Sequence, residues 1–458
     1  MEKEDLFSTQ ESNLRRSPLQ ASQNNIQCVS SWAMNNKDNK KKKINRVCML
    51  NPQGYVQYPP LLGKTDTGGQ TLYVLELAKA LAKRNIKVDI LTRQFENQKQ
   101  EEQIFDKVKI VRIPCGNNHF VQKEKMYELI PEMVENTMRY LQKTRKQYDI
   151  IHSHYWDGGY AGNLLSKMLD IPHVHTPHSL GKLKKVEMMA IEEMPVQKLK
   201  PMYRYHVRIA IEQQIMNKAD ALVVLCEISR IQVLQHYIVD FEKLHVIYPG
   251  INTDVFTARK SSYDKKLNLH KNAVLTISRM VPAKGLDRAI EALALIKNKV
   301  DFHLYMGGET GINMSNEEIE TEAKIRALIK KHKMEKMVTM IGHVSHDKLL
   351  PAYYRNSDVF LLASRYEPFG LTTLEAMACG VTPIISSVAG SKEIVVDGLN
   401  GFVVDTHDRK NLARLIQKVL TDQKMRKKIE ENAAFTIKEH YSWDKIVEKF
   451  IALYKSLL

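Results

Sequence analysis

The sequence predicts an α/β protein with two Rossmann-like, doubly wound domains that face a cleft. Short apolar runs of the kind that buried parallel strands use alternate with helical patterns along most of the chain. This series is interrupted near Pro249 and Gly250 and then starts again. The chain of 458 residues is also too long for a single core.

The predicted elements form two series. Apolar runs predict a first sheet with strands at 46–50, 88–92, 108–113, 148–152, 173–175 and 221–225. Between these strands, helical patterns predict helices at 70–84, 126–143 and 204–217. Further apolar runs predict a second sheet with strands at 273–277, 302–305, 338–341, 359–362 and 382–385. Because strands and helices alternate, both sheets should be mainly parallel.

The domain organisation follows from these series and from the two ends of the chain. Residues 1–44 are rich in Ser, Asn, Gln and Lys and are predicted to be disordered. We expect a first domain at 45–250 and a second domain at 251–440. A last helix within 441–458 should pack back toward the first domain.

The bulk composition is that of a soluble globular protein, with 43% hydrophobic and 26% charged residues. No apolar run reaches the roughly 18 residues of a membrane span, so no stable membrane insertion is expected. Five scattered cysteines without a C-x-x-C pair indicate reduced thiols and a cytoplasmic protein. The sequence does not indicate an oligomeric state.

The net charge of +16 raises a different possibility, a nucleic-acid-binding protein. However, the basic residues are spread through predicted surface helices, and aromatic residues are not interleaved with the arginines. We therefore expect no nucleic acid partner. Retention on heparin at physiological salt would reverse that expectation.

Glycines stand at the first strand-to-helix turn. Gly68 and Gly69 precede the predicted helix at 70–84, where they let a ligand approach the backbone. Free N–H groups at such a helix start can bind an anion. A plain tight turn would explain the two glycines equally well.

Two later strand ends carry histidines. His152 and His154 close one predicted strand, and His175 and His178 lie at the end of the next. Imidazoles in such loops can bind sugar hydroxyls or polarise a leaving group, although we expect His152 and His175 to be structural. A zinc site is the alternative. The sequence has no H-x-x-x-H helix and no nearby Cys, so no metal is expected.

The second domain offers charged groups at two strand ends. Arg279 and Lys284 follow its first strand and could clamp a diphosphate, although isolated cations are also common at surfaces. Glu367 lies in a later loop, before a helix predicted to start at about Leu371. The N–H groups of that helix can bind phosphate, and Glu375, one turn later, can accept hydrogen bonds from ribose hydroxyls. A buried, salt-bridged pair of glutamates is the structural alternative.

With seven residues between them, Glu367 and Glu375 resemble the E-x7-E motif of retaining GT-B glycosyltransferases of family 4. Arg279 and Lys284 resemble the Arg/Lys pair of that family, and the likeness runs from about residue 46 to 450. The resemblance implies a nucleotide diphosphate sugar as donor substrate, no protein nucleophile and no required cofactor. The donor-binding residues that it implies are Gly68, Gly69, Arg279, Lys284, Glu367, Phe369, Gly370, Leu371, Thr372 and Glu375.

Within that family, the first domain is similar to the sucrose-phosphate synthases. The stretches 66–70, 111–116, 154–159 and 178–184 carry this likeness. The resemblance implies that His178 contacts the transferred sugar. The catalytic residues that it implies are His178, Arg279, Lys284 and Glu367. The acceptor-binding residues that it implies are Gln70, His154, Lys184, Arg204 and Arg208.

The resemblance therefore implies a retaining hexosyltransferase. We expect it to move a hexose from a nucleotide sugar, with UDP-glucose favoured, to a small phosphorylated sugar. A GDP-mannose-dependent mannosylfructose-phosphate synthase, or another family 4 enzyme with a different acceptor, remains open. A sugar-nucleotide sensor without activity is disfavoured, because every motif residue is present.

Overall fold

Two β-sheets form the centre of the computed structural model, which describes residues 43–61, 66–192, 204–308 and 314–458. The prediction of disorder for residues 1–44 falls outside this part of the chain, apart from the last two residues. The strands of the first sheet are β1 Arg46–Leu50, β2 Lys87–Gln94, β3 Glu101–Phe105, β4 Val108–Pro114, β5 Ile150–His154, β6 His173–Thr176, β7 Ala221–Val224 and β8 Leu244–Val246.

In the described part of the chain, the first sheet has the order β3-β4-β2-β1-β5-β6-β7-β8. Neighbouring strands are parallel, except that β3 pairs antiparallel with β4 at the edge. The helices of this half are α1 Gly69–Lys83, α2 Lys123–Met126, α3 Ile130–Thr144, α4 Tyr155–Leu169, α5 Gly181–Glu192, α6 Tyr205–Lys218 and α7 Glu227–His236.

The second sheet is parallel throughout its described strands. These strands are β9 Ala273–Ile277, β10 His303–Gly307, β11 Val338–Gly342, β12 Val359–Leu362, β13 Thr382–Ser386 and β14 Phe402–Val404. Their order is β11-β10-β9-β12-β13-β14. The helices of this half are α8 Leu286–Ala294, α9 Asn316–Lys331, α10 Leu349–Arg355, α11 Leu371–Ala378, α12 Arg409–Thr421 and α13 Gln423–His440, followed by α14 Trp443–Leu457.

The predicted fold class, two doubly wound α/β domains, is confirmed, and each predicted strand is present within two residues of its expected bounds. The sequence analysis missed β3, β8 and β14. The β3 segment begins with the polar residues Glu101-Glu102-Gln103. An edge strand faces solvent and needs no continuous apolar run, so the sequence carried no strand signal there. The strands β8 and β14 have only three residues each, too few to show a periodic pattern.

The chain passes between the two sheets near residues 250 and 442. At this point Ile251 pairs with Ser442, because the Ile251 N–H donates to the carbonyl of Tyr441 (2.7 Å) and the Trp443 N–H donates to the carbonyl of Ile251 (3.1 Å). The helix α14 then packs against α1, and its apolar face joins the core of the first sheet. The domain boundaries themselves stay predictions.

A second connection between the two halves involves a single carboxylate. Glu393, which follows β13, accepts hydrogen bonds from the backbone N–H groups of Glu227 (2.8 Å) and Ile228 (2.6 Å) at the start of α7. It also accepts one from the Tyr248 hydroxyl (2.8 Å). A negative charge at a helix N-terminus is stabilising, so Glu393 ties the second half to a first-sheet helix.

Candidate active site

Two loops at the carboxyl ends of β9 and β12 lie against each other. Arg365, after β12, donates two hydrogen bonds to Asp287 at the start of α8 (2.7 and 2.6 Å). Gly285 has φ +61°, and a Cβ atom there would lie 2.1 Å from the carbonyl oxygen of Ala363. Only glycine allows this approach, so the two loops that carry the predicted donor residues are held together.

Two of these predicted residues form an ion pair. The Lys284 ammonium lies 2.6 Å from Glu367, and both side chains are partly buried. Arg279 follows β9 and is exposed; within the described residues its guanidinium forms no ion pair. The structure therefore presents one cation with a carboxylate partner and one cation open to solvent at the same strand end.

The start of α11 faces the start of α1 across the cleft. Gly68 and Gly370, the latter with φ +98°, are the N-cap residues of α1 and α11, so neither N-cap residue supplies a capping side chain. A Cβ atom on Gly69 would lie 3.5 Å from the Leu371 side chain, which shows how close the two helix starts are. Phe369 is buried, and Thr372 in the first turn of α11 is partly buried. Both helix starts can present N–H groups to an anion.

Glu375 is buried in the free protein and already has two partners. His346 Nε2 lies 2.9 Å from one carboxylate oxygen, and the Tyr354 hydroxyl donates to the other (3.0 Å). The sequence predicted that this carboxylate would face a ligand. Its partners come from the loop after β11 and from α10, and no sequence pattern indicated them.

A cavity of about 340 Å³ opens beside this carboxylate, between the two halves of the molecule. Its first-half wall includes Tyr58, Leu72 and Glu76, and its second-half wall includes His346, Leu371 and Glu375. The start of α11 and the second glutamate of the E-x7-E motif therefore line the same cavity.

The predicted first-domain histidines lie at the ends of β5 and β6. His154 Nδ1 lies 3.1 Å from His178 Nε2, and within the described residues no hydrogen bond reaches His154 Nε2. Burial lowers the pKa of both rings, that of His178 to about 3. Both rings are therefore neutral at physiological pH and can act as hydrogen-bonding groups rather than cations.

The other histidines of this cluster are enclosed by hydrogen-bonding side chains. His152 lies 2.7 Å from the Tyr454 hydroxyl of α14 and 2.8 Å from that of Thr176. His175 lies 2.8 Å from the Ser153 hydroxyl. These are the surroundings expected for structural histidines. Among the described residues, no group of three or more His, Cys, Asp or Glu side chains is arranged to hold a metal ion.

The two predicted acceptor arginines have carboxylate partners. Arg208 is buried on α6, and it donates to Glu212 (2.7 Å), the Tyr155 hydroxyl (2.9 Å) and the carbonyl of Ser179 (3.0 Å). Arg204 is about half exposed and pairs with Glu128 (2.6 Å) and the Tyr127 hydroxyl. Their assignment to the acceptor stays a prediction.

Lys184 differs from these arginines, because no ion pair to it is found within the described residues. Burial and the nearby Lys123 and Arg208 lower the pKa of Lys184 to about 8, and Arg279 of the second half contributes in the same direction. The Lys184 ammonium therefore faces the cations Lys123, Arg208 and Arg279, and the Glu124 carboxylate acts in the opposite direction without forming an ion pair with it.

Two neighbours of this site, Lys123 and Asn51, were not singled out from the sequence. Lys123 pairs with Asp66 (2.5 Å) and Glu124 (3.1 Å). Asp66 belongs to the stretch that carried the family likeness, but its partner lies 57 residues away, so spacing could not reveal the pair. Gln70, in the first turn of α1, donates to the Asn51 amide oxygen (2.5 Å).

The two sheets and the charged cleft between them define a GT-B architecture. Comparisons with known proteins agree: the model for glycosyltransferase family 4 matches residues 67–255, and the model for glycosyl transferases group 1 matches residues 259–435. A mannosylfructose-phosphate synthase of Agrobacterium fabrum is 31% identical and covers 90% of this chain and 91% of its own length. A probable sucrose-phosphate synthase of Thermosipho melanesiensis is 31% identical over 89% of this chain and 96% of its own.

A solved structure shows the same relationship. The sucrose-phosphate synthase of Thermosynechococcus elongatus superposes with a TM-score of 0.79 at 26% identity, covering 90% of this chain and 99% of its own. The chain belongs to the glycosyltransferases of family 4, as the sequence motifs predicted. Within the described residues, no helix is long and apolar enough to cross a membrane.

Proposed function

We propose that this glycosyltransferase transfers a hexose, with retention of configuration, from a nucleoside diphosphate sugar to a small phosphorylated sugar. The observation that carries the proposal is the convergence of cations from both halves on one cleft. Arg279 and Lys284 lie on the second-domain side, and Lys184 lies on the first-domain side with Arg279 close enough to affect its pKa. A donor diphosphate and an acceptor phosphate would together occupy such a cleft.

On the donor side, the enzyme must stabilise the negative charge that develops on the leaving diphosphate. Arg279 offers a planar fork of N–H groups and Lys284 a point charge, while the uncapped start of α11 offers backbone N–H groups. Glu367, which already lies against Lys284, would contact the sugar beyond the diphosphate. The acceptor hydroxyl would attack from the face that the phosphate leaves, and the leaving phosphate would take up the proton.

On the acceptor side, Lys184 is the residue on which the proposal depends most. A phosphate dianion would balance the repulsion between Lys184, Lys123 and Arg208, and each charged hydrogen bond contributes about 1.5–3 kcal/mol. The guanidinium of Arg208 donates hydrogen bonds to Glu212, Tyr155 and Ser179. It would therefore attract the acceptor phosphate through its charge and keep the neighbouring side chains in position. Neutral His178 would hydrogen-bond the transferred sugar.

One specific finding supports an alternative donor sugar. The relative from Agrobacterium fabrum is named as a mannosylfructose-phosphate synthase, which favours GDP-mannose as much as the sucrose-phosphate synthases favour UDP-glucose. The acceptor half of the proposal is the same in either case, because both names describe a sugar phosphate product.

The test is a panel of donors and acceptors that follows release of the nucleoside diphosphate. UDP-glucose and GDP-mannose are each combined with fructose 6-phosphate and with fructose, with and without EDTA. We expect fructose 6-phosphate to exceed fructose by at least about 10²-fold in kcat/KM, equivalent to about 2.7 kcal/mol, and we expect EDTA to have no effect. The anomeric configuration of the product, read by NMR, tests retention.

A Lys184→Ala variant makes this test specific to the phosphate. It should lose most of the preference for fructose 6-phosphate over fructose while its rate with fructose changes little. Equal rates with both acceptors in the wild-type protein would remove the phosphate site and leave only the donor half of the proposal.

A further inference from the structure

Glu375 lines the interdomain cavity, but both of its carboxylate oxygens already accept a hydrogen bond in the free protein. Glu375 is 3% exposed, and both of its oxygens accept hydrogen bonds, one from His346 and one from Tyr354. A ribose diol needs these same oxygens as acceptors. One accepting position on each oxygen is therefore already used by a side chain of the protein, and a ribose diol would compete with these side chains for the same atoms.

The two partners of this carboxylate differ in their freedom to move. Tyr354 belongs to α10 and is fully buried, so it has no space into which it could turn. His346 lies in the loop between β11 and α10, its side chain is 17% exposed, and it lines the interdomain cavity. Of the two, only His346 can leave the carboxylate by turning into open space.

We infer that His346 covers Glu375 in the free protein and is displaced from it when the ribose of a nucleoside diphosphate binds. This inference rests on the proposed function, because it assumes that the Glu375 carboxylate accepts hydrogen bonds from the ribose hydroxyls of the donor. Donor binding then includes the loss of one internal hydrogen bond, which lowers the affinity for the nucleotide. It also means that a single residue of the β11–α10 loop sets how readily the donor site opens.

The charges around His346 make its hydrogen bond to Glu375 sensitive to pH. Burial acts to lower the pKa of His346, but the carboxylates of Glu375 on α11, Glu76 on α1 and Asp347 in the same loop outweigh it and raise the pKa above its usual range. The ring of Phe256 packs edge-on against the imidazole (4.9 Å) and adds no charge. The cations Lys79 and Lys83 lie near Glu76 and act to lower the pKa of that carboxylate.

The sign of the pH effect follows directly. The protonated imidazole is bound most strongly by Glu375 in the free protein, and it loses that partner when the ribose takes its place. Nucleotide binding should therefore release a proton over the range in which His346 titrates. Affinity for the nucleotide should rise as the pH rises through that range and fall as the pH falls.

The experiment is isothermal titration of UDP into the full chain at several pH values from about 6 to 8, a range that brackets the ordinary histidine pKa. At the acid end, His346→Ala should bind UDP about tenfold more tightly than wild type, the effect of removing one competing charged hydrogen bond. The difference should shrink toward the alkaline end. Titration of the phosphate of UDP is common to all variants and cancels in the comparison.

Two further variants separate the possible causes. Tyr354→Phe removes the other hydrogen bond to Glu375 without removing a group that titrates in this range, so it should keep the wild-type pH dependence. Glu375→Gln should weaken UDP binding at every pH, which tests the ribose assignment itself. If His346→Ala does not fold, His346→Asn is used, since its shorter amide does not reach the carboxylate.

The outcomes distinguish this inference from the proposed function. If UDP binds the wild type and needs Glu375 but His346→Ala binds it more weakly or with unchanged pH dependence, His346 does not cover the site and the inference is wrong. If neither UDP nor GDP binds, or if Glu375→Gln has no effect, the donor site itself is wrong and the inference falls with it. Tighter binding with a flattened pH profile supports both.

Discussion

The two sides of the cleft hold their cations in opposite ways. On the second-domain side, Arg279 is exposed and Lys284 has one partly exposed carboxylate partner. On the first-domain side, Arg208 is enclosed by Glu212 and its neighbours, and Arg204 is paired with Glu128. Of the predicted acceptor cations, only Lys184 lies in the cleft without a described carboxylate partner.

This difference separates two uses of a charged residue. A cation with a buried carboxylate partner stabilises the fold, and its removal leaves the partner's charge unbalanced. A cation without such a partner is available to a substrate and contributes little to stability. A cation at the end of a strand can therefore either stabilise the fold or bind a substrate. Which role it has depends on whether a buried carboxylate pairs with it.

The largest effect should come from Arg208. Replacing Arg208 by Ala leaves Glu212 buried and unpaired, so we expect the free energy of unfolding to fall by about 3–5 kcal/mol. Urea denaturation followed by tryptophan fluorescence measures this change. The paired variant Arg208→Met with Glu212→Leu should recover only part of the loss, because Glu212 also accepts hydrogen bonds from the Gly181 N–H and the Tyr237 hydroxyl. A decrease of less than about 1 kcal/mol would show that the pair is not structural.

The next effect should be on turnover and not on stability. Arg279→Ala and Lys284→Ala should each lower kcat by at least about 10²-fold, the scale of losing one group that stabilises the transition state. Their urea midpoints should stay near that of the wild type. Lys299→Ala, an exposed lysine at the opposite end of the sheet before β10, serves as the control. Near-normal turnover in both variants would remove the diphosphate assignment.

The smallest effect should come from Arg204. Because its guanidinium is exposed and its pairing with Glu128 is screened by water, Arg204→Ala should not change the urea midpoint measurably. We expect it to raise KM for fructose 6-phosphate by less than about tenfold, a smaller change than that of Lys184→Ala. A stability loss comparable with that of Arg208→Ala would break the distinction between the two arginines.

The sequence predicted the strands and helices that carry the candidate site residues better than the side-chain contacts of those residues. The helix expected at about Leu371 begins there, because a glycine and an apolar run mark its start. The two partners of Glu375, by contrast, lie 29 and 21 residues earlier, and the partner of Lys284 lies 83 residues later. No local pattern connects residues so far apart, so the sequence could not show which charges are balanced in the folded protein.

The same limit applies to the sheets. Buried parallel strands carry continuous apolar runs, and those were predicted within two residues. The edge strand β3 depends on its pairing with β4, where Glu101 lies opposite Val111, and its own composition gives no such signal. The sequence therefore predicts the interior of each sheet, while edges and side-chain pairs depend on contacts made after the chain has folded.

The return of α14 to the first sheet has a consequence for engineering. Trp443, Ile446 and Phe450 belong to the same core as Val74 and Leu77 of α1, so a fragment that stops near residue 250 would leave an apolar groove uncovered. The core of the first sheet thus draws on segments before residue 250 and after residue 442, and the chain leaves and rejoins it where residues 251 and 442 pair. Chimeras with relatives should exchange 252–441 as a cassette between these adjoining ends and keep the terminal helix with its host.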